Sequence, residues 1–244
     1  MSGFGILQQA VKVEKVNKVS ATHFAICKKK EIRYLISVQG GKKRLSKNIS
    51  AYSRKLSLLM RVLNYVPYSI LQIGGVGFFV EVTLHPAIDR EIHKLEVDEW
   101  NLIIGTYDEK QKLVVQCFNR REAFLKYIKI GNHATESELK TEIRFLEQHP
   151  SYQSFEVPSI LGSRFADTYC PFNMQITKAF VGKKVSPSLT EEIVEIYQEI
   201  ARQKKKINGK EYEFSHGDFA PWNIKKTDKK YVVFDWEHCG FRMP

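Results

Sequence analysis

An α+β fold follows from three features of the 244-residue sequence. Short apolar runs of strand character are parted by basic or glycine-containing turns. Three stretches repeat apolar residues at helical spacing. Near the C-terminal end, a polar loop leads into an apolar run that stops at an aspartate.

Residues 22–27 and 32–38 read as strands separated by the lysine turn 28–30. In residues 50–63, Leu56, Leu59, Met60 and Leu63 predict a helix, and Pro67 favours its stop. Gly74, Gly75 and Gly77 precede a strand-like run at 78–84. They lack the lysine and hydroxyl residue of a phosphate loop and no helical pattern follows, so they read as a turn or bulge. Strands are expected at 100–106, 112–118 and 123–130. A helix follows, with Thr135 and Glu138 as a capping box, Leu139, Ile143 and Leu146 on one face, and Pro150 at its end. Two further strands are expected at 157–162 and 174–181. The last helix is expected over 189–206, capped by Ser188 and Glu191, with Ile193, Ile196, Tyr197 and Ile200 as its stripe and Gly209 past its end. A loop at 213–223 and a strand at 231–234 complete the pattern, which describes a small antiparallel sheet with a packed helix.

Composition narrows the function classes. Apolar residues at 43% and aromatic residues at 12% are enough for a packed core and argue against disorder. The formal net charge of +11 favours an anionic ligand or surface. The lysine clusters at 28–30, 42–44, 204–206 and 225–230 read mostly as solvated faces or turns. Cys27, Cys117, Cys170 and Cys239 lie far apart and form no CxxC pair, which argues against zinc and against a disulfide framework. A cytoplasmic location is the simplest expectation. Residues 1–14 hold no long apolar core and no run of about 18 apolar residues occurs, so neither a signal peptide nor a membrane span is expected. Peripheral membrane contact stays open. The sequence has no RNP-type or helix-turn-helix signature, and no specific nucleic-acid partner is expected.

The chemistry-bearing signal is Phe214-Ser215-His216-Gly217-Asp218-Phe219-Ala220-Pro221-Trp222-Asn223-Ile224, followed by an apolar run and Asp235-Trp236-Glu237. Phosphoryl transfer needs a held hydroxyl, a carboxylate to take its proton, and cations on the phosphate oxygens. Asp218 is the candidate base. Asn223 supplies a neutral oxygen from the same loop and Asp235 a charged one from the next strand end, a hard-oxygen set suited to magnesium. His216 is expected to order the loop through hydrogen bonds. Taken singly, Asp218, Asn223 and Asp235 would read as turn formers or caps. Their order and spacing together point to chemistry.

His216–Asn223 and Asp235-Trp236-Glu237 resemble the catalytic loop and metal-binding strand of the aminoglycoside phosphotransferase and choline kinase group. The Phe-Ala-Pro-Trp filling of the loop is similar to bacterial saccharide and lipopolysaccharide kinases. The resemblance implies a two-lobed protein-kinase-like fold that uses ATP and Mg²⁺, with Asp218 as base and Asn223 and Asp235 as metal ligands. It further implies a strand lysine on the ATP phosphates, paired with a helix glutamate. Lys129 is the candidate, with Lys126 on the opposite strand face as the competing choice, and Glu142 is the glutamate. The Gly105–Lys112 turn would cover the nucleotide with one glycine in place of a glycine-rich set. Residues 174–181, leading into Gly182, would present backbone groups to adenine.

The implied organisation is an N-terminal α+β accessory extension over 1–95, a small lobe over 96–181 and a partial catalytic lobe over 182–244. Nine residues follow Asp235, whereas this group continues into helices that complete the substrate site. The expectation is a shortened C-terminal lobe, from truncation or from an acceptor site built elsewhere. The expected activity is ATP-dependent phosphorylation of a hydroxyl on a small molecule or saccharide. Two other readings remain open: a kinase-like regulatory or binding protein without turnover, and a basic nucleic-acid-binding domain.

Overall fold

Strand residues with apolar side chains at alternate positions must bury one face, and here most do so in one nine-stranded sheet. The structure is a computed structural model that describes residues 6–28, 30–39, 65–119, 124–186 and 188–243. The helix expected over 50–63 lies outside the described residues. The fold is mixed α+β, and the chain divides into two compact units: Met1–Glu136 with Gly162–Ala179, and Ser137–Leu161 with Phe180–Pro244.

The first unit opens with α1 (Ile6–Ala10), β1 (Val11–Lys15), β2 (His23–Lys28) and β3 (Glu31–Ser37). After α2 (Tyr68–Ile73), β4 (Gly77–Leu84) and α3 (Pro86–Lys94) comes a meander of β5 (Glu99–Ile104), β6 (Leu113–Phe118) and β7 (Phe124–Gly131). Helix α4 (Glu136–Gln148) and the short β8 (Phe155–Glu156) intervene before β9 (Ile160–Arg164) and β10 (Asn173–Lys178). The sheet order is β1-β4-β2-β3-β5-β6-β7-β10-β9, so strands on both sides of residue 95 share it.

Register follows from the alternation. Leu102 pairs with Val115, Val115 with Ile128, and Ile128 with Ile176, placing four apolar side chains across β5, β6, β7 and β10. They join one core with Leu35, Val80, Ile88 and Phe172. Burying each such side chain contributes roughly 1.5–3 kcal/mol. Gly74 and Gly75 form a turn, as expected, and Gly77 opens β4. Gly75 has φ +68, and a Cβ on Gly77 would meet the Ala25 carbonyl oxygen at 2.0 Å, so β4 can approach β2 only with glycine there.

The second unit adds β11 (Lys183–Lys184), α5 (Glu191–Ala201), β12 (Lys204–Ile207), β13 (Lys210–Ser215), β14 (Ile224–Lys226), β15 (Tyr231–Val233) and β16 (Gly240–Arg242). They form two small sheets, β11-β14-β15-β8 and β12-β13-β16. The core joins Phe145 and Leu146 of α4, Ile193, Ile196 and Ile200 of α5, and Phe155, Ile224, Val233 and Trp236.

Three expectations need correction here. Thr190 is the N-cap of the last helix, which begins at Glu191, so Ser188 and Glu191 do not form its capping box. The last helix ends at Ala201 instead of running to 206, and Lys204–Ile207 pairs with Lys210–Ser215 as a hairpin. Asn208 at φ 50 and Gly209 at φ 77 make its turn, an Asn-Gly preference that outweighs continued helix. Thr135 does not act as a capping-box residue either. Its hydroxyl donates to the Asn132 carbonyl at 2.9 Å, within a 3-10 turn that leads into α4. No helix of the described residues is long and apolar enough to cross a membrane.

Candidate functional site

The loop 216–223 runs from β13 to β14, and steric necessity shapes its start. Gly217 has φ +87, and a Cβ there would lie 2.2 Å from the His238 carbonyl oxygen. Only glycine lets the loop pass the turn that follows Trp236.

His216, buried to 2% exposure, ties the loop to the strand end. The Asp218 backbone N–H donates to its Nδ1 at 3.3 Å, so Nε2 holds the proton and donates to the Phe234 carbonyl at 3.0 Å. Burial pulls the imidazole below its ordinary pKa, while the Phe234 carbonyl and the nearby Asp235 and Asp218 oppose the shift. A neutral ring of one tautomer is what these two bonds require. A second tie runs beside it, with the Phe234 N–H donating to the Asn223 carbonyl at 3.0 Å.

Pro221–Asn223 forms a 3-10 turn that brings the Asn223 side chain back over Asp218. Asn223 Nδ2 donates to the Asp218 carbonyl and to its Oδ2, both at 3.0 Å. With the nitrogen committed to Asp218, the amide oxygen Oδ1 takes no part in this contact.

Asp235 ends the run after β15 at φ 70, a left-handed conformation that costs a non-glycine residue of order 1 kcal/mol. Trp236 anchors the turn beyond it. Its ring is wholly buried, stacks on Phe145 at 4.1 Å, and lies 4.2 Å from the His216 ring. Its backbone N–H donates to Glu142 Oε1 at 3.3 Å, which brings α4 to this strand end.

Carboxylate oxygens of Glu142, Asp235 and Glu237 lie within 4.8 Å of one another, a group among the described residues that could hold a metal ion. Three carboxylates at this spacing repel one another, and a divalent cation relieves that repulsion. The three donors are all carboxylate oxygens, a set that fits magnesium. Glu237 had no role in the sequence reading. Its signal was its place two residues beyond Asp235. Glu142, expected on the nucleotide side, belongs with the acidic group.

Lys126 and Lys129 take opposite faces of β7. Lys126 shares the face of Ile128 and Ile130, which lie in the core, and its Nζ donates to the Leu95 carbonyl at 3.4 Å. Lys129 takes the other face, opposite Val114 on β6 and Gln175 on β10. Lys129 belongs to the first unit and Glu142 to the second. The 105–112 turn is tied to β3: Arg33 Nη1 donates to the Gly105 carbonyl at 2.9 Å and the Tyr107 hydroxyl to the Ile32 carbonyl at 2.7 Å.

No family model matches this chain, and no curated protein matches it.

Proposed function

We propose that the chain is an ATP- and magnesium-dependent phosphotransferase that moves the terminal phosphate of ATP to a hydroxyl of a small molecule or saccharide. Asp218 takes the hydroxyl proton as the phosphate arrives. Asn223 and Asp235, joined by Glu237, would hold the magnesium, which would supply positive charge against the phosphate oxygens. By resemblance, Lys129 would serve the phosphates of the donor, Glu142 stands with the acidic group, and His216 positions the loop.

One observation carries this reading. The loop bearing Asp218 and Asn223 is bonded to the strand end bearing Asp235 through His216 Nε2–H and Phe234 N–H, each at 3.0 Å. The Asp218 carboxylate and the oxygens of Asn223 and Asp235 therefore share one hydrogen-bonded frame, which supports reading them as base and metal ligands. The protein-kinase-like part of the reading draws support from β7, the third strand of a meander. It bears Lys129 and is followed by the helix that bears Glu142.

The test is a thermal-shift titration with ATP in the presence and absence of Mg²⁺, followed by ATP consumption over saccharide and glycolipid acceptors. Stabilisation that needs both magnesium and nucleotide, with phosphate transfer to one acceptor class, is the expected result. Magnesium-dependent binding with no transfer to any acceptor would favour a binding protein. Absence of nucleotide binding would sink the reading.

A further inference from the structure

We propose that the second unit carries a further ligand site, a cavity between α4 and the β12-β13-β16 sheet that takes an aromatic compound bearing one oxyanionic group. The site stands apart from the phosphotransferase reading and does not depend on it.

The cavity has a volume of about 640 Å³, within the range of roughly 300–1,000 Å³ usual for small-molecule sites. Every residue that lines it belongs to the second unit. The helix side is one stripe of α4, because Thr141, Arg144, Phe145 and Gln148 stand three or four residues apart. The opposite side is one face of the small sheet. Lys205 pairs with Tyr212 and Phe214 with Phe241, while Tyr212 and Phe214 are alternate residues of β13. Lys205, Phe214 and Phe241 therefore share a face.

The walls are aromatic. The Phe145 and Phe214 rings stack at 5.6 Å, and Phe241 meets Phe214 edge-on at 5.2 Å. Phe241 keeps 40% of its surface exposed, apolar area that a flat apolar body would cover.

Charge decides the sign of the ligand. Two permanent charges line the cavity, those of Arg144 and Lys205, and no carboxylate lines it. The two faces of the sheet differ in this respect. On the other face, Lys204 is matched by Glu211 at 2.6 Å and by Glu213 at 3.4 Å. Lys205 has instead the Phe241 ring, 5.9 Å from its Nζ. The Arg144 side chain makes no hydrogen bond or ion pair among the described residues. Glu142, next to Thr141 in sequence, is buried and gives its Oε1 to the Trp236 N–H, so it does not offset these charges at the cavity wall. A guanidinium forks onto two oxygens of a carboxylate, sulfonate or phosphate, and an ammonium adds a point charge. A neutral aromatic compound would leave both cations unanswered, and a bare inorganic anion would leave the Phe241 ring in water. An aromatic oxyanion satisfies both.

The test is a fluorescence titration of the full chain with anilinonaphthalene sulfonate and with phenylnaphthylamine, which has the same rings and no charge. The sulfonate should bind saturably, one per chain, and at least about tenfold more tightly than the neutral dye, the weight of a charge-assisted bond. Arg144→Gln and Lys205→Gln should each weaken it by about tenfold. Lys204→Gln removes the same charge from the other face and should leave the affinity unchanged, which separates the cavity from general attraction to a basic chain. All three positions are exposed, so the variants should fold. Equal affinity for the two dyes, wild-type affinity in both cavity variants, or an equal loss in Lys204→Gln would overturn the proposal. Displacement of the sulfonate by ATP with Mg²⁺ would overturn it too, by moving the dye to the nucleotide.

Discussion

Asn223 turns its side-chain nitrogen to Asp218 and donates to both the backbone carbonyl and Oδ2, each at 3.0 Å. A single amide therefore fixes the carboxylate by donation, and in the proposed mechanism its oxygen is kept for a cation. Proton transfer and metal binding are in that mechanism divided over one short loop.

Removal of the base should follow that division. Asp218→Asn should keep magnesium-dependent nucleotide binding and lose phosphate transfer by about 10²–10⁴-fold, the usual contribution of a positioned base. Single-turnover transfer and nucleotide titration on the same preparation measure both. Near-normal turnover would remove Asp218 from its role.

Asp235→Asn and Glu237→Gln should weaken magnesium-dependent nucleotide binding as well as turnover, because each removes a charged oxygen ligand. Asparagine tolerates the left-handed φ of 70 at position 235, so the backbone there should survive the change. A magnesium titration at fixed nucleotide reads the effect. An unchanged magnesium midpoint in both variants would dismiss the acidic group as a metal site.

The two lysines of β7 should behave differently. Lys129→Ala should weaken nucleotide binding by about an order of magnitude or more through lost phosphate positioning. Lys126→Ala should lose only a bond to the Leu95 carbonyl and leave binding near wild type. The reverse outcome would move the phosphate role to Lys126.

Gly217→Ala should destabilise the second unit and disable transfer, since its Cβ would stand 2.2 Å from the His238 oxygen at a φ of +87. The backbone strain alone is of order 1–3 kcal/mol. Urea unfolding together with the transfer assay tests this, and wild-type behaviour in both would show that the loop can be rebuilt.

Acid should destabilise the fold through buried histidine. Burial lowers His23 from about 6.5 to about 4, with the Trp100 carbonyl opposing the shift. A depressed folded-state pKa means that the unfolded chain binds the proton first. Its contribution is full above about pH 6.5 and is lost as pH falls towards 4, amounting to about 3 kcal/mol. His216, also lowered, adds loss in the same direction. Unfolding midpoints between pH 7 and 4, compared with those of His23→Gln, should show a shallower slope in the variant. Equal slopes would assign the acid sensitivity elsewhere.

The strands of the large sheet were legible because their alternation is local, as at 100–106 and 112–118. The short elements α1, α2 and β1 were not, since five or six residues hold too few periods to register. The 204–215 hairpin was hidden because three lysines after an apolar stripe extend a helical pattern, although Asn208-Gly209 marked the turn. The site divides the same way. His216, Asp218, Asn223 and Asp235 lie within 20 residues and could be read from spacing. The approach of Glu142 to the Trp236 N–H joins residues 94 apart, within a core where Trp236 packs on Phe145.

The interleaving of the two units along the chain governs how the polypeptide can be assembled. Strand β7 pairs with β6 on one side and with β10 on the other, and the whole of α4 lies between β7 and β10 in sequence. During synthesis, the first unit stays incomplete until residue 178 has emerged, and the closure spans a long loop. A fragment ending at residue 136 would expose β7 as an unpaired edge and invite strand addition from another copy. Neither unit can be cut out as one continuous piece, so domain dissection of this protein calls for circular permutation or co-expression of fragments rather than simple truncation.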